Sequence, residues 1–499
     1  MGALRRRILM FSLCLTLFLA ALDITIVATA LPTIASALKA NAAEYAWVGS
    51  SYTLASTSST PIWAKISDIF GRKSTLMAAN GVFIVGSVIA ALASSVGMLI
   101  GGRVLQGGGG GGIMVLITII IGDIFELRER AKYYGFISLV WAIASPIGPV
   151  LGGVFTQTIG WRWCFWINLP FEGLSLVVLI LVLKVDSPSV SVIEGLKSLD
   201  WVGSAIIVGG TICFLYGLES GAGGTQAWNS ALVLCLIIFG ILLFILFSIY
   251  EAKIATNPMI PMHIFSSKTN IATFTTTCLH SFVFISHDYF LPLYFQIVLK
   301  FQPIISGVSL LALVIPLTIA SVSTGVFVNW TGNFIVPIRL GAVIMAVGTG
   351  LFIDLDSTRD WPKIIIYQVI AGVGTGPLFQ APMIALQSHL QPSHVPAAMS
   401  AFTFMRNLFS SISIVIGSVL LQKGVGGSSL TQVGMAGSDS KAGGATDGTY
   451  VSAMRILWVF YTALCGLMVF AVIFIKGRDI RGSPSVPESS SQDNERSKH

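Results

Sequence analysis

The sequence predicts an all-α integral membrane protein, and three observations carry that prediction. Of 499 residues, 54% are hydrophobic and 10% charged, against about 25% charged in soluble domains, and the mean hydropathy is +0.83. Apolar windows long enough to cross a bilayer, about 20 residues, recur along the chain between charged, Pro-rich or Gly/Ser-rich breaks. Lys and Arg concentrate in alternate breaks, which fits the positive-inside rule.

In chain order the windows fall near 8–30, 45–65, 75–95, 98–122, 133–156, 164–184, 200–220, 230–250, 271–298, 306–328, 337–354, 363–388, 397–421 and 453–475, fourteen spans in all. The start, MGALRRRILMFSLCLTLFLA, opens like a secretory signal peptide, but its apolar run continues through Asp23 to about Leu31. That exceeds an h-region of about 7–15 residues, so it reads as a first membrane helix that is kept. With the N-terminus cytoplasmic, eighteen Lys and Arg of the loops and termini lie inside and seven outside. Both termini are therefore predicted to be cytoplasmic, and the basic pI of about 9.1 reflects topology, not nucleic acid binding. Six scattered cysteines without a CxxC pair indicate neither a metal site nor a disulfide framework. The outer stretch 423–449 reads as a flexible Gly/Ser-rich loop and the tail 476–499 as disordered. The sequon at Asn329 falls on the cytoplasmic side, where it would go unused.

The fourth window contains RVLQGGGGGGIMV, from Arg103 to Val115, with six consecutive glycines at Gly107 to Gly112. In water each interior glycine weakens a helix by about 1 kcal/mol relative to alanine. In hydrocarbon the backbone keeps its internal hydrogen bonds, and the missing side chains permit close helix contact. Gly107, Gly109 and Gly111 recur as Gly372, Gly374 and Gly376 at a constant offset of 265 residues. That offset superposes the fourth helix on the twelfth, as two six-helix bundles separated by two extra helices would place them. Internal repeats of this kind mark many transporters. Gly108, Gly110 and Gly112 lack such support, so Gly110→Ala is expected to be tolerated where Gly107→Leu is not.

The turn between the second and third helices reads Ala64-Lys-Ile-Ser-Asp-Ile-Phe-Gly-Arg-Lys-Ser-Thr-Leu76. Asp68, Gly71, Arg72 and Lys73 stand together at a helix end, where Asp68 could pair with Arg72 or cap a helix terminus; an ordinary positive-inside loop is the plainer alternative. In Ser145-Pro-Ile-Gly-Pro-Val-Leu-Gly-Gly153, Pro146 and Pro149 interrupt helix hydrogen bonds, while Gly148, Gly152 and Gly153 admit a close neighbour. Such a helix is either a pivot or simply kinked.

With these two motifs, Leu22-Asp-Ile-Thr-Ile-Val-Ala-Thr-Ala-Leu-Pro32, the R-x-x-Q-G-x-G of Arg103, Gln106, Gly107 and Gly109, Trp161 to Pro170, and Tyr289 to Gln296 followed by Ser306-Gly-Val308, the chain resembles the major facilitator superfamily. Within it the resemblance is to the fourteen-helix drug:proton antiporters, in particular fungal efflux pumps that export toxins or secondary metabolites. Ala64 stands where the family's turn begins with Gly, Ile69 where a basic residue follows the Asp, and Glu172 where a small residue is common.

The resemblance implies a major facilitator fold: an N-terminal six-helix bundle over 1–184, two additional transmembrane helices over 185–270, a C-terminal six-helix bundle over 271–475 and the cytoplasmic tail 476–499. It implies proton-driven efflux of small amphipathic organic compounds by alternating access, not enzymatic activity. The partners would be the small organic substrate, protons and the lipid bilayer, with no nucleic acid and the protein a monomer. The plasma membrane is the expected location, and the vacuolar membrane is the alternative. No GxxxxGK[ST] loop is present, so the proton gradient supplies the energy, and no cofactor or metal is expected. An importer or facilitator of a small solute, or a non-transporting receptor, are the alternative readings.

Charges inside a membrane are costly and mark interior sites. Asp23, Arg103, Asp288 and Arg406 are the clearest cases. Asp23, Arg103 and Asp288 are the proton-coupling candidates, with a structural ion pair as the competing explanation. Desolvation favours a protonated carboxyl and a nearby guanidinium the ionised form, so a rearrangement that moves Arg103 would change proton affinity. His280 and His287 read as satisfied polar groups, and Asp200 and Glu219 as interfacial. Trp141, Phe284, Tyr289, Phe379 and Arg406 are the candidate contacts of a substrate cavity.

Overall fold

The computed structural model describes residues 3–40, 42–183, 192–222, 226–425 and 447–478, and among them every regular element is helical. The first half comprises α1 (Ala3–Leu38), α2 (Ala42–Phe70), α3 (Arg72–Ala91), α4 (Val96–Ile124), α5 (Leu127–Thr158), α6 (Trp163–Trp166) and α7 (Asn168–Val182). A short α8 (Val192–Ser198) leads to α9 (Trp201–Ala222) and α10 (Ala231–Lys253). The second half comprises α11 (Lys268–Ile297), α12 (Pro303–Thr331), α13 (Ile335–Leu351), α14 (Trp361–Leu378), α15 (Ala381–Ser388), α16 (Val395–Gly424) and α17 (Asp447–Val472). The expected flexible loop falls largely on 426–446 and the expected disordered tail largely on 479–499, both outside the described residues.

Two expected spans are interrupted. The sixth is divided into α6 and α7 around Ile167. The twelfth breaks at Phe379–Gln380, between α14 and α15. Pro377 and Pro382 flank that break, and neither can donate a backbone hydrogen bond to the preceding turn.

Among the described residues twelve helical stretches are long and apolar enough to cross a membrane, so this is a multi-pass membrane protein. α2 and α11 match them in length, at 29 and 30 residues, but are richer in Ser and Thr. Those hydroxyls bond back to their own helix: Thr60 to the Ser56 carbonyl at 2.8 Å, Thr273 to Thr269 at 2.8 Å and Thr277 to Thr273 at 2.9 Å. Satisfied in this way, a hydroxyl adds little cost to a buried helix. Eighteen residues of α11 are buried.

Helix packing repeats between the halves. α4 lies against both α2 and α3, and α14 lies in the same way against α12 and α13. α1 packs on α5 and α7, and α11 packs on α16 and α17. Across the junction α5 runs along α12, and α2 along α16, so each half offers its second and fifth spans to the other. α9 and α10 pair with each other, and α9 touches both α2 and α16.

Candidate functional site

α4 carries the most closely packed stretch. A Cβ on Gly107 would land on the Tyr52 carbonyl of α2, and one on Gly111 would lie 2.9 Å from the Ser56 Cα of the same helix. A Cβ on Gly109 would meet α3 instead, 2.6 Å from both the Ala79 carbonyl and the Phe83 nitrogen. Alternate glycines thus admit α2 and α3 to backbone contact, the arrangement small residues give helices in membranes. The run is tighter than the repeat implies. Gly112 faces Trp63 and Ala79 at 2.8–2.9 Å, and Gly110 abuts the buried Tyr52 hydroxyl, so a Cβ at Gly110 meets a side chain that must shift and no backbone. Gly108 alone in the run has open space at its Cβ position, while its carbonyl accepts from Trp63 Nε1 at 2.7 Å and Ser59 Oγ at 3.1 Å.

This packing positions Arg103, one turn before Gly107. Arg103 and Asp23, 2% and 0% exposed, form a direct ion pair between α4 and α1 through Arg103 Nη1 and Asp23 Oδ2. The other carboxylate oxygen, Oδ1, accepts from Gln106 Nε2 at 2.8 Å and Asn168 Nδ2 at 2.9 Å. Gln106 also accepts from Arg103 Nη1 at 3.0 Å and donates to Ser87 at 2.9 Å. The guanidinium lies over the Tyr52 ring at 4.6 Å, and Arg103 Nε donates to the Val48 carbonyl at 3.3 Å. Five spans therefore meet at one carboxylate and its counter-ion. A buried pair is tolerable only when the remaining donors and acceptors are also matched. The sequence places Asp23 in one motif and Arg103 and Gln106 in another; it assigns no role to Asn168, Ser87 or Tyr52, although Asn168 stands inside a quoted motif.

At the turn after α2, Gly71 takes φ 88°, a left-handed conformation glycine adopts without strain. Arg72 pairs with Asp68 and donates from Nε to Asp123 at 2.7 Å and from Nη1 to Ser67 at 2.7 Å. Lys73 donates to the Ile180 carbonyl at 2.6 Å. Asp123, 51 positions on, is the member of this cluster that the turn motif does not contain.

In α5, both Pro146 and Pro149 lie inside a continuous helix. A Cβ on Gly148 would come within 2.9 Å of the Ile26 nitrogen, and one on Gly152 within 2.5 Å of its carbonyl oxygen, whereas Gly153 has nothing within 4 Å. The motif therefore seats α5 on α1, three residues beyond Asp23, through two of its three glycines.

The second half gathers three of the cavity candidates. Arg406 stacks on Phe379 at 4.4 Å, and Phe379 packs edge-on against Phe284 at 4.9 Å. His280 joins them, 4.8 Å from Phe379. Tyr289 is 45% exposed and rests on Phe290, and Trp141 is half-buried on α5; among the described residues neither ring contacts those of Phe284, Phe379 or His280. Asp288 is half-buried and forms no ion pair among the described residues. The histidines are less satisfied than expected: His287 Nε2 bonds Thr349 at 3.0 Å, but His287 Nδ1 and His280 Nε2 have no partner. Glu172 is fully buried with both carboxyl oxygens unpartnered. Asp200 caps α9, accepting from the Gly203 amide at 2.8 Å.

The halves are tied together at the end where α2 turns into α3. Arg128 donates to the carbonyls of Asn329 and Trp330, and the Asn329 side chain returns a bond to Arg128 at 3.0 Å. Arg130 donates to Gln387 at 2.8 Å and Gln387 to Tyr134 at 3.0 Å; about three turns deeper along α5 than Arg128, Ser321 donates to Ser138 at 2.9 Å.

A family profile, Major Facilitator Superfamily, matches residues 13–414. The chain belongs to the major facilitator superfamily. Among curated relatives it is 42% identical to the efflux pump dotC of Dothistroma septosporum, covering 96% of this chain and 86% of that one. It is likewise 42% identical to the MFS-type transporter ppz2 of Metarhizium majus, over 95% and 85% of the two chains. Among solved structures it superposes on the proton:xylose symporter XylE with a TM-score of 0.64 at 14% identity, covering 96% and 98% of the chains. This major facilitator protein therefore has the fold of a transporter, with Asp23 and Arg103 in the core of its first half.

Proposed function

We propose that this major facilitator is a proton-driven efflux transporter for small amphipathic organic compounds. The single observation that carries the reading is the buried Asp23–Arg103 pair joining α1 to α4. A proton on Asp23 removes the negative charge that holds the Arg103 guanidinium, so proton binding weakens the pair and links protonation to movement between helices. The turn cluster around Arg72 and the bonds from Arg128, Arg130 and Ser138 to the second half support a gate at the cytoplasmic end that must open and close during alternating access. The efflux pump named among the relatives supports outward export.

In this reading the two bundles are residues 1–184 and 271–475, linked by α9 and α10, and α2 and α11 complete fourteen spans. Both termini are cytoplasmic, the protein works as a monomer in the plasma membrane, and each proton moved down about 100 mV contributes about 2.3 kcal/mol. The test is uptake of an amphipathic aromatic reporter by inside-out vesicles. An acidic lumen should drive accumulation, and dissipating the gradient should abolish it. Uptake indifferent to the gradient would rule out antiport.

A further inference from the structure

The polar wall in the second half bears on the charge of the substrate, an inference that rests on the transporter reading above. Arg406 lies near the middle of α16, yet it is partly accessible. Among the described residues no acidic side chain is within ion-pair reach of it. A guanidinium held at that depth without a counter-ion is costly, and its stacking on Phe379 fixes its orientation without neutralising it.

His280 supplies a second, independent observation. It is 1% exposed, and its Nε2 has no partner. The broken twelfth span explains its orientation. At the break the Phe379 amide turns to the Gly376 carbonyl, which leaves the Thr375 carbonyl to accept from the His280 ring. With Nδ1 as the donor, Nε2 presents a lone pair. The wall thus offers one fixed cation, one buried acceptor and the faces of Phe284 and Phe379. Asp288 stands two turns along α11 from His280, on the same side of that helix, and would favour a cation instead.

We propose that this wall binds planar aromatic anions bearing a hydroxyl group, and that such organic acids, not cations, are the exported class. The ionised carboxylate or phenolate oxygen sits on Arg406, the hydroxyl donates to His280 Nε2, and the ring lies against Phe284 and Phe379.

The test is ligand binding by the full chain in lipid nanodiscs, read by tryptophan fluorescence, with hydroxynaphthoate, naphthoate and naphthyl-trimethylammonium as probes. Hydroxynaphthoate should bind at least about tenfold more tightly than the ammonium compound, and Arg406→Gln should remove about tenfold of that affinity. Arg406→Lys should lose less. His280→Phe should erase the advantage of hydroxynaphthoate over naphthoate while leaving naphthoate binding intact, which a general folding defect would not do. Equal or tighter binding of the ammonium compound, or indifference of hydroxynaphthoate to Arg406→Gln, overturns the proposal. Should Arg406→Gln fail to fold, His280→Phe and Arg406→Lys decide by the same selectivity. Gradient-driven flux in proteoliposomes is measured separately. Anion-selective binding without proton-driven flux supports this site and sinks antiport alone, whereas proton-driven flux of the ammonium probe without anion binding sinks this site alone.

Discussion

Gly107 and Gly372 occupy equivalent places in the two halves. A Cβ on either would strike a carbonyl oxygen of the helix it crosses, that of Tyr52 on α2 and that of Leu313 on α12. The correspondence continues through Gly109 and Gly374, which face α3 and α13, and through Gly111 and Gly376, which face α2 and α12 again. The obstacle in each half is backbone, which cannot rotate aside as a flexible side chain can.

Alanine at Gly107 or Gly372 should therefore destabilise the protein by about 1–3 kcal/mol, the usual cost of overpacking a tight contact, and should abolish transport. Gly108→Ala, whose Cβ position is open, should unfold at the wild-type temperature. Thermal unfolding in detergent with a transport assay separates them; equal damage at Gly107 and Gly108 would mean that the run acts through flexibility and not packing.

Removing Arg103 leaves a buried carboxylate without its counter-ion, so Arg103→Ala should cost about 3–5 kcal/mol. The double variant Asp23→Asn/Arg103→Gln removes both charges and should recover most of that stability while remaining unable to couple transport to the proton gradient. A double-mutant cycle on the unfolding midpoint checks the first outcome and vesicle uptake the second.

Asn168 supplies one of the two hydrogen bonds to Asp23 Oδ1. Asn168→Ala should lower stability by about 1 kcal/mol, because Asp23 Oδ1 keeps its bond from Gln106 and loses the other, and should slow gradient-driven uptake more than Gly153→Ala, which meets nothing within 4 Å. Comparable transport by the two variants would remove Asn168 from the coupling network.

Ser138 and Ser321 approach to 2.9 Å between hydroxyl oxygens of opposite halves. The pair Ser138→Cys/Ser321→Cys should form a disulfide under mild oxidant, stop transport completely and recover on reduction. Full activity of the demonstrably cross-linked protein would show that α5 and α12 do not part there during the cycle.

Much of the architecture was legible because lipid makes simple demands. Long apolar windows anticipated the helices, and the glycine repeat anticipated that α4 and α14 would be packed alike. Breaks inside spans were harder to anticipate, since Pro377 and Pro382 sit among apolar residues that keep the hydropathy of the twelfth window high. At the site, Asp23, Arg103 and Gln106 were marked as ionisable or motif residues, but Asn168 and Ser87 carry no charge and stand in separate spans. At Gly110 the nearest neighbour is the hydroxyl of Tyr52, a residue 58 positions away that the local run cannot reveal.

The sequence by itself determined a multi-pass helical protein, the doubled helix pattern and the identity of the charges committed to the membrane, because burial of backbone and charge in lipid is governed by composition along each segment. Only the tertiary structure decided which groups meet: that five spans converge on the Asp23 carboxylate and its counter-ion, and that Arg406 has aromatic neighbours but no acidic partner among the described residues. Those pairings depend on how helices rotate and cross, and that is set by backbone contact at a few glycines rather than by the residues that are paired.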